Sequence, residues 1–156
     1  MVADRAGEAG PPRTQGGERC VECASGSGGD CTSGNCTANV CSLPLTNGCN
    51  IATAMDMTGM ANVAITFPNG SFTYAPPCVK VSVGTTVTFN GNFVSHPLQG
   101  GTVVGVMATP SAVGPFATET NSGVTADFLM SSAGTFPYYC TFHYPAGMYG
   151  AVFVVP

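Results

Sequence analysis

An all-β fold, an eight-stranded Greek-key sandwich or barrel preceded by a small disulfide-rich segment, is what this sequence predicts. Three observations carry that expectation. The chain is 44% hydrophobic but only 8% charged, with 21 glycines and 12 prolines, the profile of a globule rich in strands and turns. From residue 61 onward, short β-favouring runs alternate with turn signals. No helix-period apolar stripe of useful length interrupts them.

By composition the 156 residues divide into a disordered polar, Gly-rich tail (1–19), a cysteine-rich segment (20–49) and a strand-rich domain (50–156). Only the last holds enough apolar residues to build a core. Within it Val63 to Phe67 reads as a strand, Pro68-Asn69-Gly70 as a hairpin turn, and Phe72 to Tyr74 as the returning strand before Pro76-Pro77. Alternating Val79, Val81 and Val83 make Cys78 to Val83 a strand with one buried face, and Val87 to Phe89 is the next. Val103 to Met107 is a weaker strand and Thr109 to Ser122 a long connection. Val124 to Met130, Thr135 to Thr141 and Tyr149 to Val155 complete the set. Met55, Met57 and Met60 lie on the approach to Val63, where alternation predicts a strand edge; methionines there are expected to fill gaps rather than to bind a soft metal.

The chemistry concentrates near the C-terminus. Cys140, His143 and Met148 fall in a Cys-x2-His-x4-Met spacing between two predicted strands. A thiolate leaving one strand, an imidazole in the loop and a thioether entering the next can converge on one soft metal. The chain has only two histidines, so His96, in Ser95-His96-Pro97-Leu98, is the candidate for a fourth donor. A trigonal His2Cys set with a weak axial methionine is the arrangement of mononuclear blue copper. Thiolate and thioether stabilise Cu(I), imidazole accommodates Cu(II), and no position is left for a substrate, which favours electron transfer over catalysis.

Residues 61–156, from Tyr74-Ala75-Pro76-Pro77-Cys78-Val79-Lys80-Val81 through His96-Pro97-Leu98 to the closing ligand loop, resemble a plastocyanin/azurin-type cupredoxin. The resemblance implies an eight-stranded Greek-key β-sandwich with one copper at one end, held by His96, Cys140, His143 and Met148. Two departures bear on tuning. Pro97 cannot offer the backbone N–H that often follows the first histidine, whereas Phe142 keeps an N–H able to bond the Cys140 sulfur, where plastocyanin-like loops carry proline.

Eight cysteines in so short a chain argue for an oxidising compartment, periplasmic, cell-surface or secreted. Cys49 and Cys78 flank the first hairpin and are expected to pair. Cys23, Cys31, Cys36 and Cys41 leave three connectivities open, of which Cys23–Cys36 with Cys31–Cys41 is the one expected; Cys20 is left over. Met1 to Arg19 has no apolar run of the signal-peptide kind, so the export signal is expected to have been removed or truncated, and no segment reaches the length of a membrane span. An N-terminal tether is compatible with this organisation. The net charge of −4 and four scattered basic residues exclude a nucleic-acid footprint.

The expected function is therefore an exported electron carrier, not an enzyme, exchanging single electrons with protein redox partners. Its port is His143, ringed by an apolar rim of Pro97, Leu98, Tyr144, Pro145 and Ala146. The alternative is a copper-binding or copper-delivery protein. A multicopper enzyme needs further histidines, commonly flanking the cysteine, and Tyr139 and Thr141 occupy those places.

Overall fold

The structure is a computed structural model that describes residues 45–156 throughout and, ahead of them, the backbone of four short strands. The chain forms two compact units, Met1–Pro44 and Leu45–Pro156. In the first, β1 (Arg13–Gln15) pairs antiparallel with β2 (Glu18–Cys20), and β3 (Cys36–Thr37) with β4 (Val40–Cys41), Cys36 standing opposite Cys41. The disulfides expected among Cys23, Cys31, Cys36 and Cys41, and the state of the Cys20 thiol, lie outside the described residues.

In the second unit nine strands follow: β5 (Met55–Asp56), β6 (Asn62–Phe67), β7 (Cys78–Ser82), β8 (Thr86–Gly91), β9 (Leu98–Val104), β10 (Met107–Pro110), β11 (Thr125–Leu129), β12 (Gly134–Cys140) and β13 (Tyr149–Val155). They form a six-stranded sheet in the order β10-β9-β12-β13-β7-β5 and a three-stranded sheet in the order β11-β8-β6. The pairs β13–β7, β7–β5 and β6–β8 are parallel, so the chain must cross between sheets rather than meander within one. This is the all-β, two-sheet architecture that the alternation predicts.

Period-two burial explains the core. Along β6, Val63, Ile65 and Phe67 point inward while Asn62, Ala64 and Thr66 face solvent; Val79 and Val81 of β7 and Val87 and Phe89 of β8 repeat the pattern. Between the sheets Tyr138 sits edge-on to Tyr74 and Phe89, with ring centroids 5.0 Å apart in both cases, and donates its hydroxyl to the Pro77 carbonyl at 2.8 Å. Gly150 is obligatory opposite this contact, because a Cβ there would run into the Pro77 carbonyl and the Tyr138 hydroxyl. Central strand β13 is buried on both faces. Its outer face, Ala151 and Phe153, is covered by Cys49 and Ala54.

That covering segment is held by two devices. A disulfide joins Cys49 to Cys78 across 29 residues, a loop length for which the chain-entropy account gives about 3–4 kcal/mol. Asn47 buries its side chain, its amide nitrogen lying 3.0 Å from the Gly101 and Tyr138 carbonyls and 3.2 Å from that of Gly150, while its oxygen accepts the Val103 N–H at 2.8 Å. The compact unit thus begins at Leu45, ahead of the position 50 suggested by composition.

Two local expectations are corrected. Phe72 to Tyr74 is not a strand: flanking Pro68, Pro76 and Pro77 remove ladder donors, and the predicted hairpin shrinks to one bridge between Thr66 and Ala75. Val103 to Met107 is not one strand but the tip of a hairpin, β9 turning at Gly105-Val106 into β10, so part of the predicted long connection is a strand. The methionine-rich approach does supply the sheet edge expected of it, β5 pairing with β7, where Asp56 meets Lys80 at 2.7 Å. The lysine and Thr58 hold the Asp56 carboxyl down to about 2.

Candidate metal centre

Three elements bring the site together at one end of the sandwich. β12 ends at Cys140, whose Cα partner on β9 is Leu98, so the two residues before Leu98 lie beside the cysteine. His96 is one of them. Its approach is fixed by an Asx turn, Asn92 Oδ1 accepting the Val94 N–H at 3.0 Å, by the buried Phe93 ring, and by the His96 N–H donated to the Asn92 carbonyl at 3.0 Å. The Thr141 N–H donates to the Pro97 carbonyl at 3.0 Å and ties the two loops together.

The C-terminal loop is shaped by its own residues. A single 3-10 turn spans Tyr144–Ala146, with Pro145 supplying the fixed φ of its start and Gly147 closing it at φ 95°, a left-handed conformation that glycine adopts without penalty. The His143 carbonyl accepts from Ala146 at 3.0 Å and Met148 at 3.2 Å, and the Met148 carbonyl accepts the Cys140 N–H at 2.9 Å. Cysteine, histidine and methionine are thereby locked by backbone bonds before any ligand atom is considered.

The side chains then converge. His96 Nδ1 lies 3.1 Å from His143 Nδ1, which lies 3.4 Å from Cys140 Sγ, and one donor atom from each residue falls within 4.8 Å of the others. His96 and Cys140 are buried at 3% and 0% exposure, His143 is half-buried, and Met148 is fully buried against the core. Burial, then the neighbouring His143, lowers the His96 pKa; burial raises that of Cys140 against the pull of the Phe142 and His143 N–H groups, with Glu119 raising it further. Two imidazole nitrogens and one thiol facing a common centre, with a thioether in the same loop and no carboxylate among them, fit copper rather than a hard cation. A metal bound there would take the place of the thiol proton.

The backbone N–H groups of Phe142 and His143 favour the charged form of Cys140, whose sulfur has its one side-chain polar contact among the described residues with His143 Nδ1 at 3.4 Å. The rim differs from expectation. Leu98 is 1% exposed and Pro97 is buried, because β9 is flanked at Leu98 by β12 on one side and Thr120 on the other. Tyr144 is half-buried beside Tyr139, while Pro145 and Ala146 are exposed. The apolar groups that take the place of Pro97 and Leu98 are Phe142, 62% exposed, and Phe72, whose ring stacks on His143 at 4.4 Å. No local sequence signal marks Phe72, which reaches the site from a loop distant in sequence.

Comparison with known proteins gives the same answer as the donor set. The sequence model of the copper-binding proteins of the plastocyanin/azurin family matches residues 61–155. Among solved structures, a purple cupredoxin from Nitrosopumilus maritimus is 30% identical, with 60% of this chain and 99% of that one covered and a TM-score of 0.40. A reduced amicyanin variant is 29% identical over 60% of this chain and 82% of that one, TM-score 0.40, and reduced rusticyanin 23% identical over 64% and 84%, TM-score 0.43. No curated protein sequence matches significantly. Cupredoxins are copper proteins that generally transfer electrons and are not typically enzymes. The chain belongs to the plastocyanin/azurin family of copper-binding proteins.

Proposed function

We propose that the protein is an exported, mononuclear type 1 copper protein that shuttles single electrons between redox partners, with His96, Cys140, His143 and Met148 as ligands. One observation carries the reading: two imidazole nitrogens and a thiol meet within 4.8 Å in a buried, hydrogen-bonded frame. Copper held there supplies a one-electron couple. The residues do the rest. His96 and Cys140 are closed to solvent, so a substrate has no approach through them. The Phe142 and His143 N–H groups favour the charged form of Cys140, and strands β9, β12 and β13 fix the frame so that little need rearrange when charge changes. His143, half-exposed among Phe72, Phe142, Pro145 and Ala146, is the port. Docking there is apolar, since the only charges in the unit are Asp56, Lys80, Glu119 and Asp127. The Cys49–Cys78 disulfide supports export.

The visible absorption spectrum of the Cu(II)-loaded protein tests this. An intense thiolate-to-copper charge-transfer band is expected; copper bound stoichiometrically without the band would overturn the type 1 reading and favour copper delivery.

The Phe142 N–H, which favours charge on the sulfur, yields a second expectation. Phe142→Pro removes the N–H that stabilises charge on Cys140, leaving the thiolate a stronger donor to the oxidised metal. The reduction potential should fall by roughly 40 mV, the one-electron equivalent of about 1 kcal/mol, as read by voltammetry. A rise would show that this N–H does not control electron density at the sulfur.

A further inference from the structure

Phe72 keeps 48% of its surface exposed, a costly position for a phenyl ring unless something is gained there. The ring lies on His143 with centroids 4.4 Å apart and planes 21° from parallel, and its centroid is 6.3 Å from that of His96. Among the described residues no other ring lies flat on either imidazole. Phe67 meets His96 edge-on at 5.9 Å and Phe142 meets His143 edge-on at 6.3 Å.

The loop that presents Phe72 is anchored on both sides. Thr66 and Ala75 exchange backbone bonds of 2.9 and 2.8 Å, Ser71 donates its N–H to the Pro68 carbonyl at 3.1 Å, and the Ser71 and Thr73 hydroxyls bond each other at 2.8 Å. Tyr74, two residues on, is buried at 2% exposure among Phe67, Phe89 and Tyr138. The Phe72 ring is therefore delivered to His143 by a fixed support.

Resting on the ligand roles proposed above, we propose that Phe72 is a positioning residue for His143. The imidazole cannot swing away from Cys140 and His96 without breaking the stack, and the phenyl ring keeps water from one face of the most exposed histidine of the set. His143 is the most exposed residue of the set, so a stack that holds it in place would slow copper release from the reduced protein while leaving the fold untouched.

The experiment uses the full chain, loaded with copper and reduced, and follows transfer of Cu(I) to a chelator for wild type, Phe72→Ala, Phe72→Leu and Phe72→Trp. Phe72→Ala should release copper roughly two- to tenfold faster, the range set by aromatic-pair coupling, with the apoprotein melting temperature unchanged. Phe72→Leu, which restores apolar cover without a stack, should stay near Phe72→Ala, and Phe72→Trp should return to the wild-type rate. Equal rates for Phe72→Ala and wild type, or full recovery in Phe72→Leu, would overturn the inference. The wild-type charge-transfer band separates the two failures. If the band is present and the rates do not move, only the role of Phe72 falls; if the band is absent, that role falls with the electron-carrier reading.

Discussion

On the proposed ligand set, Cys140→Ser should abolish the visible charge-transfer band and weaken copper binding by more than roughly a hundredfold, since changes in the outer shell alone cost roughly ten- to a hundredfold. The thiolate is the donor that gives the set its soft character, and a serine hydroxyl neither ionises at neutral pH nor offers a polarisable orbital to the metal. The fold should survive. Cys140 is fully buried at the end of β12, but serine is smaller and fits the same space. The substitution should therefore cost the apoprotein only about 1–2 kcal/mol. Spectra and chelator competition on the variant, beside thermal unfolding of the apoprotein, separate loss of the ligand from loss of the fold. A surviving band would remove Cys140 from the site.

Asn47→Ala should lower apoprotein stability by about 3 kcal/mol, roughly 10–20 °C in Tm for a unit of this size. The side chain is 94% buried by its 6% exposure, and it serves carbonyls on β9, β12 and β13 and an N–H on β9. Alanine removes all four of these contacts from a buried place. It also inherits a backbone φ of 47°, which asparagine tolerates better than other non-glycine residues. Asn47→Asp should do little better, because a carboxylate has no N–H to offer any of the three carbonyls. Because the Tyr138 carbonyl lies two residues before Cys140, the loss should also broaden the copper spectrum. A Tm shift of less than about 3 °C would show that water replaces the amide without strain.

The ligand loop and the strands were legible because their signals are local. The Cys-x2-His-x4-Met spacing and the alternation of Val63, Ile65 and Phe67 are complete within a few residues. What escaped was set at long range. Leu98 and Pro97 carry no mark of burial; they are covered because β12 and Thr120 close over them. Tyr74 sits in a β-favouring run, yet tertiary packing draws it into the core while proline denies that run a ladder. Phe72 reads as a strand residue and acts as a lid on a histidine. Asn47 lies in a segment that composition assigns to the cysteine-rich region, and only the fold reveals it as the knot between three strands.

The central place of β13 governs the order of events in the protein's life. The strand lies between β12 and β7, pairing with one antiparallel and the other parallel, and both its faces are covered. Until the chain has been made through Val155, the large sheet is split into two halves and Met148 has no fixed neighbour. A nascent chain thus offers cysteine and histidines without the frame that positions them. The frame for a metal is therefore complete only once the last strand has docked.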